Sequence, residues 1–368
     1  MKWNKLIIFF FLWGISFSAW TQEKKTSAID DFFVNVQYGA GITAAHRSSL
    51  SSLIKENPYT FNFEMGKATN GQKAWHQIFN YPYLGIGYAH FTLGNNEVFG
   101  NANALYGFID VPYFPEKKLT LDYKIGFGLS YLSKCFNVEN NIFNFAIGSH
   151  LNVYFNLAFD LKYRLLNDKL ILGTGIGLTH VSNGKIQTPN LGLNILDFHI
   201  SSRYFFGKNR RNKILKTYSY SKKHSFMIIG AGGAKEYSAP NRGKFFAGNF
   251  TTEYEYRSSN KISWGIGTDI FYDGVLQDEY KWKEDDAPFL HANRAGLHLT
   301  YGFHYHKVNF IIQMGSYLFP YNTDDGYFYH RVGFRVPISE HFVANLTMKT
   351  HWARADIVEF GLGYYWRK

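Results

Sequence analysis

Leu121, Tyr123, Ile125, Phe127, Leu129 and Tyr131 alternate with Asp122, Lys124, Gly126, Gly128 and Ser130, a period of two that predicts a β-strand with one apolar and one polar face. The split recurs at 151–164, where Leu151, Val153, Phe155, Leu157, Phe159, Leu161 and Tyr163 oppose Asn152, Asn156, Asp160, Lys162 and Arg164. It returns in Ile262, Trp264, Ile266, Ile270 and Tyr272, and again in Val358, Phe360, Leu362, Tyr364 and Trp366. Many of these segments reach ten residues, the length of a tilted membrane strand, whereas the strands of a soluble sandwich average about 5–6. Tyr131, Tyr163, Tyr204 and Trp366 lie at strand ends, where an interfacial aromatic girdle would sit. About sixteen such segments can be counted between residues 32 and 366, an even number that suits a bacterial barrel with both termini in the periplasm.

The expected fold is therefore an all-β transmembrane antiparallel barrel. One barrel of about 14–16 strands is favoured; the alternative is an eight-stranded barrel followed by a second eight-stranded unit. Glycine pairs such as Gly126/Gly128 and Gly265/Gly267 fall inside the alternating strands, which argues for close-packed interior positions and against a phosphate-binding loop.

Composition agrees with a lipid-facing wall read every second residue: 19% of the chain is aromatic, and no interior apolar run is long enough for a membrane helix. Lys2 and Lys5 precede the apolar stretch Leu6–Trp13, and small residues follow at Ser16, Ser18 and Ala19, the order of a secretory signal peptide over 1–21. Export removes nucleic acid as the partner for the net charge of +11, while a phosphate-rich lipopolysaccharide surface remains available. A lone cysteine, Cys135, excludes an intramolecular disulfide. The basic segment 207–223 reads as a solvated linker between two halves, 32–206 and 224–368.

The polar residues that matter chemically cluster at 178–194. His180 and Ser182 share the parity of Leu170, Leu172, Ile176 and Leu178, which points them at lipid. On the next strand Asn194 shares the parity of Leu196, Phe198 and Ile200. Residues i and i+2 of a strand are about 6.6 Å apart at Cα, close enough for an imidazole and a hydroxyl to meet. A serine needs such a base to become nucleophilic, and the imidazole needs a partner on its other nitrogen, a role open to Asn194. Asn183 and Gly184, at the tight turn, are candidate donors to an oxyanion.

His180-x-Ser182-Asn183-Gly184, then Pro189-Asn190-x-Gly192 and a strand closing at Arg203-Tyr204-Phe205-Phe206, resembles the outer-membrane lipid A 3-O-deacylases of the PagL type, or acyloxyacyl hydrolase-like proteins. The resemblance spans roughly 33–206 and implies a serine esterase in the bacterial outer membrane. By it, His180 is the base and Ser182 the nucleophile on the lipid-facing wall of an eight-stranded barrel, and an ester-linked acyl chain of lipid A is released without a cofactor. That family's third member is a glutamate where this chain has Asn194. The run with asparagine twelve positions after serine also resembles outer-membrane phospholipase A, which has a serine, histidine and asparagine triad, and which would admit calcium. A passive channel or structural barrel with a vestigial site is the third expectation, and a homodimer is left open. The second half shows scattered histidines, His304 and His306 among them, and no comparable motif.

Overall fold

The computed structural model describes residues 30–45, 47–207, 223–236, 243–283, 292–318, 325–352 and 354–367. The expected signal peptide, and 208–222 of the expected basic linker, lie outside the described residues. Every alternating segment forms a strand because its polar residues turn inward and its apolar residues outward. In the segment Leu119–Leu132, Leu121, Leu129 and Tyr131 are exposed, whereas Thr120, Asp122, Lys124 and Ser130 are buried. A soluble protein has the opposite arrangement, and lipid is the solvent that this one fits.

Eight antiparallel strands make the first barrel: β1 (Phe32–Thr43), β2 (Tyr59–Ala68), β3 (Tyr83–Thr92), β4 (Asn101–Pro112), β5 (Leu119–Leu132), β6 (Leu151–Leu165), β7 (Leu170–Ser182) and β8 (Leu193–Phe205). The second has β9 (Lys223–Glu236), β10 (Lys244–Arg257), β11 (Ile262–Asp273), β12 (Asn293–Tyr305), β13 (Val308–Tyr317), β14 (Phe328–Pro337), β15 (Phe342–His351) and β16 (Arg354–Arg367). The expectation of one large barrel is corrected here. β8 pairs back onto β1, with Phe33 opposite Phe205 and Thr43 opposite Ile195, and β16 pairs back onto β9, with Phe360 opposite Gly232. Both edges of β8 are thereby used, and none is left for β9. The eight-plus-eight alternative is the arrangement found. None of the described helices is long and apolar enough to cross a membrane.

An eight-stranded barrel has a lumen that side chains can fill, and both lumens are filled with ion pairs. In the first, Lys162 Nζ lies 2.5 Å from Asp110 Oδ2 and 3.3 Å from Asp122, and Arg203 Nη2 lies 2.6 Å from the same Asp110 oxygen. His199 joins Asp197 at 2.7 Å to Asp160 at 2.6 Å, and Lys124 binds Glu64 at 2.7 Å. In the second, Arg335 meets Glu253 at 2.7 Å, Arg331 meets Asp269 at 2.9 Å, and His298 bridges Asp269 and Glu253.

The barrels stand side by side and touch at both ends. In the β2–β3 connection the short helix Ala74–Ile78 stacks Trp75 on His306, with centroids 5.1 Å apart, and Phe79 lies 4.3 Å from Tyr305 of β12. Phe127 of β5 meets Phe334 of β14 at 5.2 Å. At the other end the β7–β8 turn reaches β9 and β16.

His76 makes the helix end of this contact acid-sensitive. Its Nδ1 accepts the Gly71 N–H at 3.3 Å, which requires a neutral ring. Burial, then Lys73 and His306, push its pKa down from 6.5 to about 4. A histidine lowered on folding contributes fully above its unfolded value, and its contribution is lost as pH falls through the folded one. Amide exchange of residues 74–79, corrected for its intrinsic pH dependence, should rise between pH 6.5 and about 4; a flat profile would count against this account.

Candidate active site

β7 climbs through Gly173, Gly175 and Gly177, whose missing side chains leave room for Ser201, His199 and Asp197 of β8 in the lumen. The opposite face of β7 carries His180. Register sets His180 directly across from Asn194 on β8, and Ser182 across from Val153 on β6. Cross-strand pairs bring side chains within about 5.5 Å at Cβ, and here the two meet. His180 Nδ1 lies 2.7 Å from Asn194 Oδ1, and its Nε2 lies 2.9 Å from Ser182 Oγ. The ring is thus held from both sides, with the carboxamide oxygen on one nitrogen and the hydroxyl on the other.

His180 and Asn194 are half-buried, while Ser182 is only 7% exposed. Part of its cover is Gly192, at φ +72°, where an added Cβ would come 3.0 Å from His180 Cε1 and 3.2 Å from Ser182 Cβ. A side chain there would be strained by its backbone and would press on the imidazole and the serine together. The glycine therefore lets the returning turn close over the pair.

Asn183 is committed to the turn. Its backbone N–H donates to Asn190 Oδ1 at 3.0 Å, and its Nδ2 donates to Ser149 Oγ and to the Gln187 carbonyl, each at 2.9 Å. All three of its N–H groups are spent, so the asparagine braces the turn and has no donor left for a ligand. The neighbouring Gly184 N–H donates to no backbone carbonyl of the described residues. Gly184 has φ +63°, and an added Cβ would lie 2.3 Å from Val358 Cγ2 on β16. Ser149 and Ala146, whose carbonyl accepts the Gly192 N–H at 2.9 Å, belong to the β5–β6 loop. Neither carried a sequence signal, because their contribution is a contact across 34 residues or more.

A family model described as lipid A 3-O-deacylase (PagL) matches residues 59–203, and one described as acyloxyacyl hydrolase, C-terminal domain, matches 224–368. The two matches fall on the two barrels in turn. None of the curated proteins matches the chain. Among solved structures, that of the outer membrane enzyme PagL is 16% identical, with 45% of this chain and 97% of that chain covered and a TM-score of 0.30. A deltaS2 mutant of the monoaromatic hydrocarbon channel TodX is 8% identical, with coverage of 91% and 88% and a TM-score of 0.18. The β domain of the Bordetella autotransporter BrkA is 9% identical, with coverage of 91% and 98% and a TM-score of 0.24.

Proposed function

Since the chain belongs to the lipid A 3-O-deacylase (PagL) family, we propose that it is an outer-membrane serine esterase that removes an ester-linked acyl chain from lipid A in the outer leaflet. Ser182 is the nucleophile, His180 its general base, and Asn194 the group that orients the imidazole. The observation that carries this reading is the unbroken chain Asn194–His180–Ser182, with contacts of 2.7 and 2.9 Å.

With Asn194 Oδ1 against Nδ1, that nitrogen keeps its proton, and the Nε2 lone pair faces the Ser182 hydroxyl. As Oγ attacks the ester carbonyl, its proton passes to Nε2. The carbonyl oxygen becomes an oxyanion, for which the Gly184 N–H is the best candidate donor. Collapse of the tetrahedral species breaks the ester bond; Nε2 returns the proton to the departing alcohol oxygen, and the acyl chain stays on Ser182. Water, deprotonated by the same imidazole, then releases the fatty acid. An asparagine can fix the tautomer but brings no charge to the imidazolium. Asn194→Ala should therefore lower kcat by about 10- to 100-fold, a smaller loss than removing His180, as read from the rate of fatty acid release.

If the N-terminus lies in the periplasm, β7 runs outward and delivers Ser182 to the outer leaflet. The short β6–β7 joint at Leu166–Lys169 supports this direction, because periplasmic turns are the short ones. The deciding experiment is mass spectrometry of lipid A from cells with and without the intact gene. Loss of one acyl chain only when the gene is intact is expected, and identical masses would overturn the reading.

Asn194 itself favours a second reading, hydrolysis of glycerophospholipid by a serine, histidine and asparagine triad. Fatty acid release from phospholipid vesicles, with lipid A left untouched, would select it. A passive channel fits less well, since ion-paired side chains occupy both lumens.

A further inference from the structure

The family match gives the second barrel a description but no task. Within the first barrel the turn between β7 and β8 is held by the β5–β6 loop, through Ser149 and the carbonyls of Ala146 and Phe145. Its far side rests on the second barrel. Glu236, the last residue of β9, accepts the Thr188 N–H at 2.5 Å and the Thr188 hydroxyl at 3.0 Å through one carboxylate oxygen, Oε2. The Glu236 backbone N–H donates to the Lys185 carbonyl at 3.2 Å. Val358 of β16 packs straight onto the Cα of Gly184, the position of the candidate oxyanion donor. Lys185 turns toward the mouth of the second barrel, where burial and the nearby Lys235 push its pKa down against the pull of Asp356. Thr188 and Glu236 are both buried, so these bonds form away from competing water.

We propose that the second barrel is a clamp for the catalytic turn, with Glu236 as a positioning residue that fixes Gly184 and Ser182 through Thr188 and Lys185. The proposal rests on the serine esterase reading given above. Glu236 touches neither substrate nor the reacting atoms. It holds the segment 185–188, which follows directly on Ser182, Asn183 and Gly184, and so limits how far the oxyanion donor can drift from the attacking hydroxyl. A misplacement of about 1 Å in such a site can cost about a hundredfold in rate. Two contacts from separate strands, a carboxylate on β9 and an isopropyl group on β16, converge on one short turn. That convergence is more than docking of the barrels requires, since they already meet through Trp75, Phe79 and Phe127.

The test uses the full chain, refolded and assayed on lipid A in detergent. Glu236→Ala should lower kcat by about tenfold or more with KM little changed, and should slow phosphonylation of Ser182 by a fluorophosphonate probe to the same degree. Glu236→Gln keeps an oxygen that can accept from Thr188 and should recover most of the rate. Glu340→Gln, on the exposed β14–β15 turn, should match the parent. Heat-modifiable migration establishes that each variant is folded. Should Glu236→Ala not fold, Thr188→Val replaces it, losing the hydroxyl bond alone and giving a smaller drop of the same kind. A parental kcat and labelling rate in Glu236→Ala, or a lowered unfolding temperature without a kinetic change, would overturn the clamp. Failure of the underlying reading looks different: Ser182→Ala would then keep its activity whatever Glu236 does.

Discussion

Ser182→Ala and His180→Ala are each expected to reduce acyl release by about 10⁴- to 10⁶-fold, because nucleophile and base act as one unit and either loss removes most of what the pair supplies. The hydroxyl is hydrogen-bonded to His180 Nε2, and its removal leaves no buried charge behind. Both variants should therefore keep the folded, heat-modifiable form. Fatty acid release measured per folded molecule is the check, and a Ser182→Ala protein with undiminished turnover would exclude the serine mechanism. The double variant should be no slower than either single one. Additive losses would mean that the two side chains serve separate steps.

Asp110→Ala is expected to have the largest effect on stability. Asp110 Oδ2 is shared by Lys162 at 2.5 Å and Arg203 at 2.6 Å inside the first lumen. Removing that carboxylate takes a partner from two buried cations and strands one of them, Arg203, and breaking a buried pair from one side costs about 3–5 kcal/mol. Lys162 keeps Asp122 at 3.3 Å and Asp160 at 3.4 Å, but Arg203 Nη2 loses its carboxylate partner, and its Nε and Nη1 already lack hydrogen bonds among the described residues. A marked fall in unfolding temperature in detergent, or failure to form the compact band, is the expected outcome. An unchanged transition would show that the lumen network contributes little.

The strands were legible because period-two alternation is a local property: Leu121 to Tyr131 can be read without reference to any other segment. Closure was not legible. Whether the far edge of β8 pairs with β1 or β9 depends on partners more than 150 residues apart, such as Phe33 and Phe205, and both candidate edges carry the same alternating pattern. The site divides in the same way. His180 and Ser182 are two residues apart, and Asn194 lies just across a hairpin, so parity alone brought them together. Asn183 looked equally eligible as an oxyanion donor, because its engagement by Ser149 requires the β5–β6 loop. Glu236 gave no signal at all, being an ordinary strand-end glutamate until the two barrels are set side by side.

The inward charges and outward hydrocarbon of each strand also set a rule for how this chain can change length. One residue inserted in the middle of β5 would send Asp122 and Lys124 to lipid and carry Leu121 and Tyr123 into the lumen, since a one-residue slip exchanges the two faces. Insertions and deletions within the strands are thus confined to even numbers, or to bulges that absorb the odd residue, like Asp356 of β16, which falls between the pairs Lys349–Ile357 and Thr350–Ala355. Loops and turns carry no such parity, and length variation among descendants of this sequence should concentrate there.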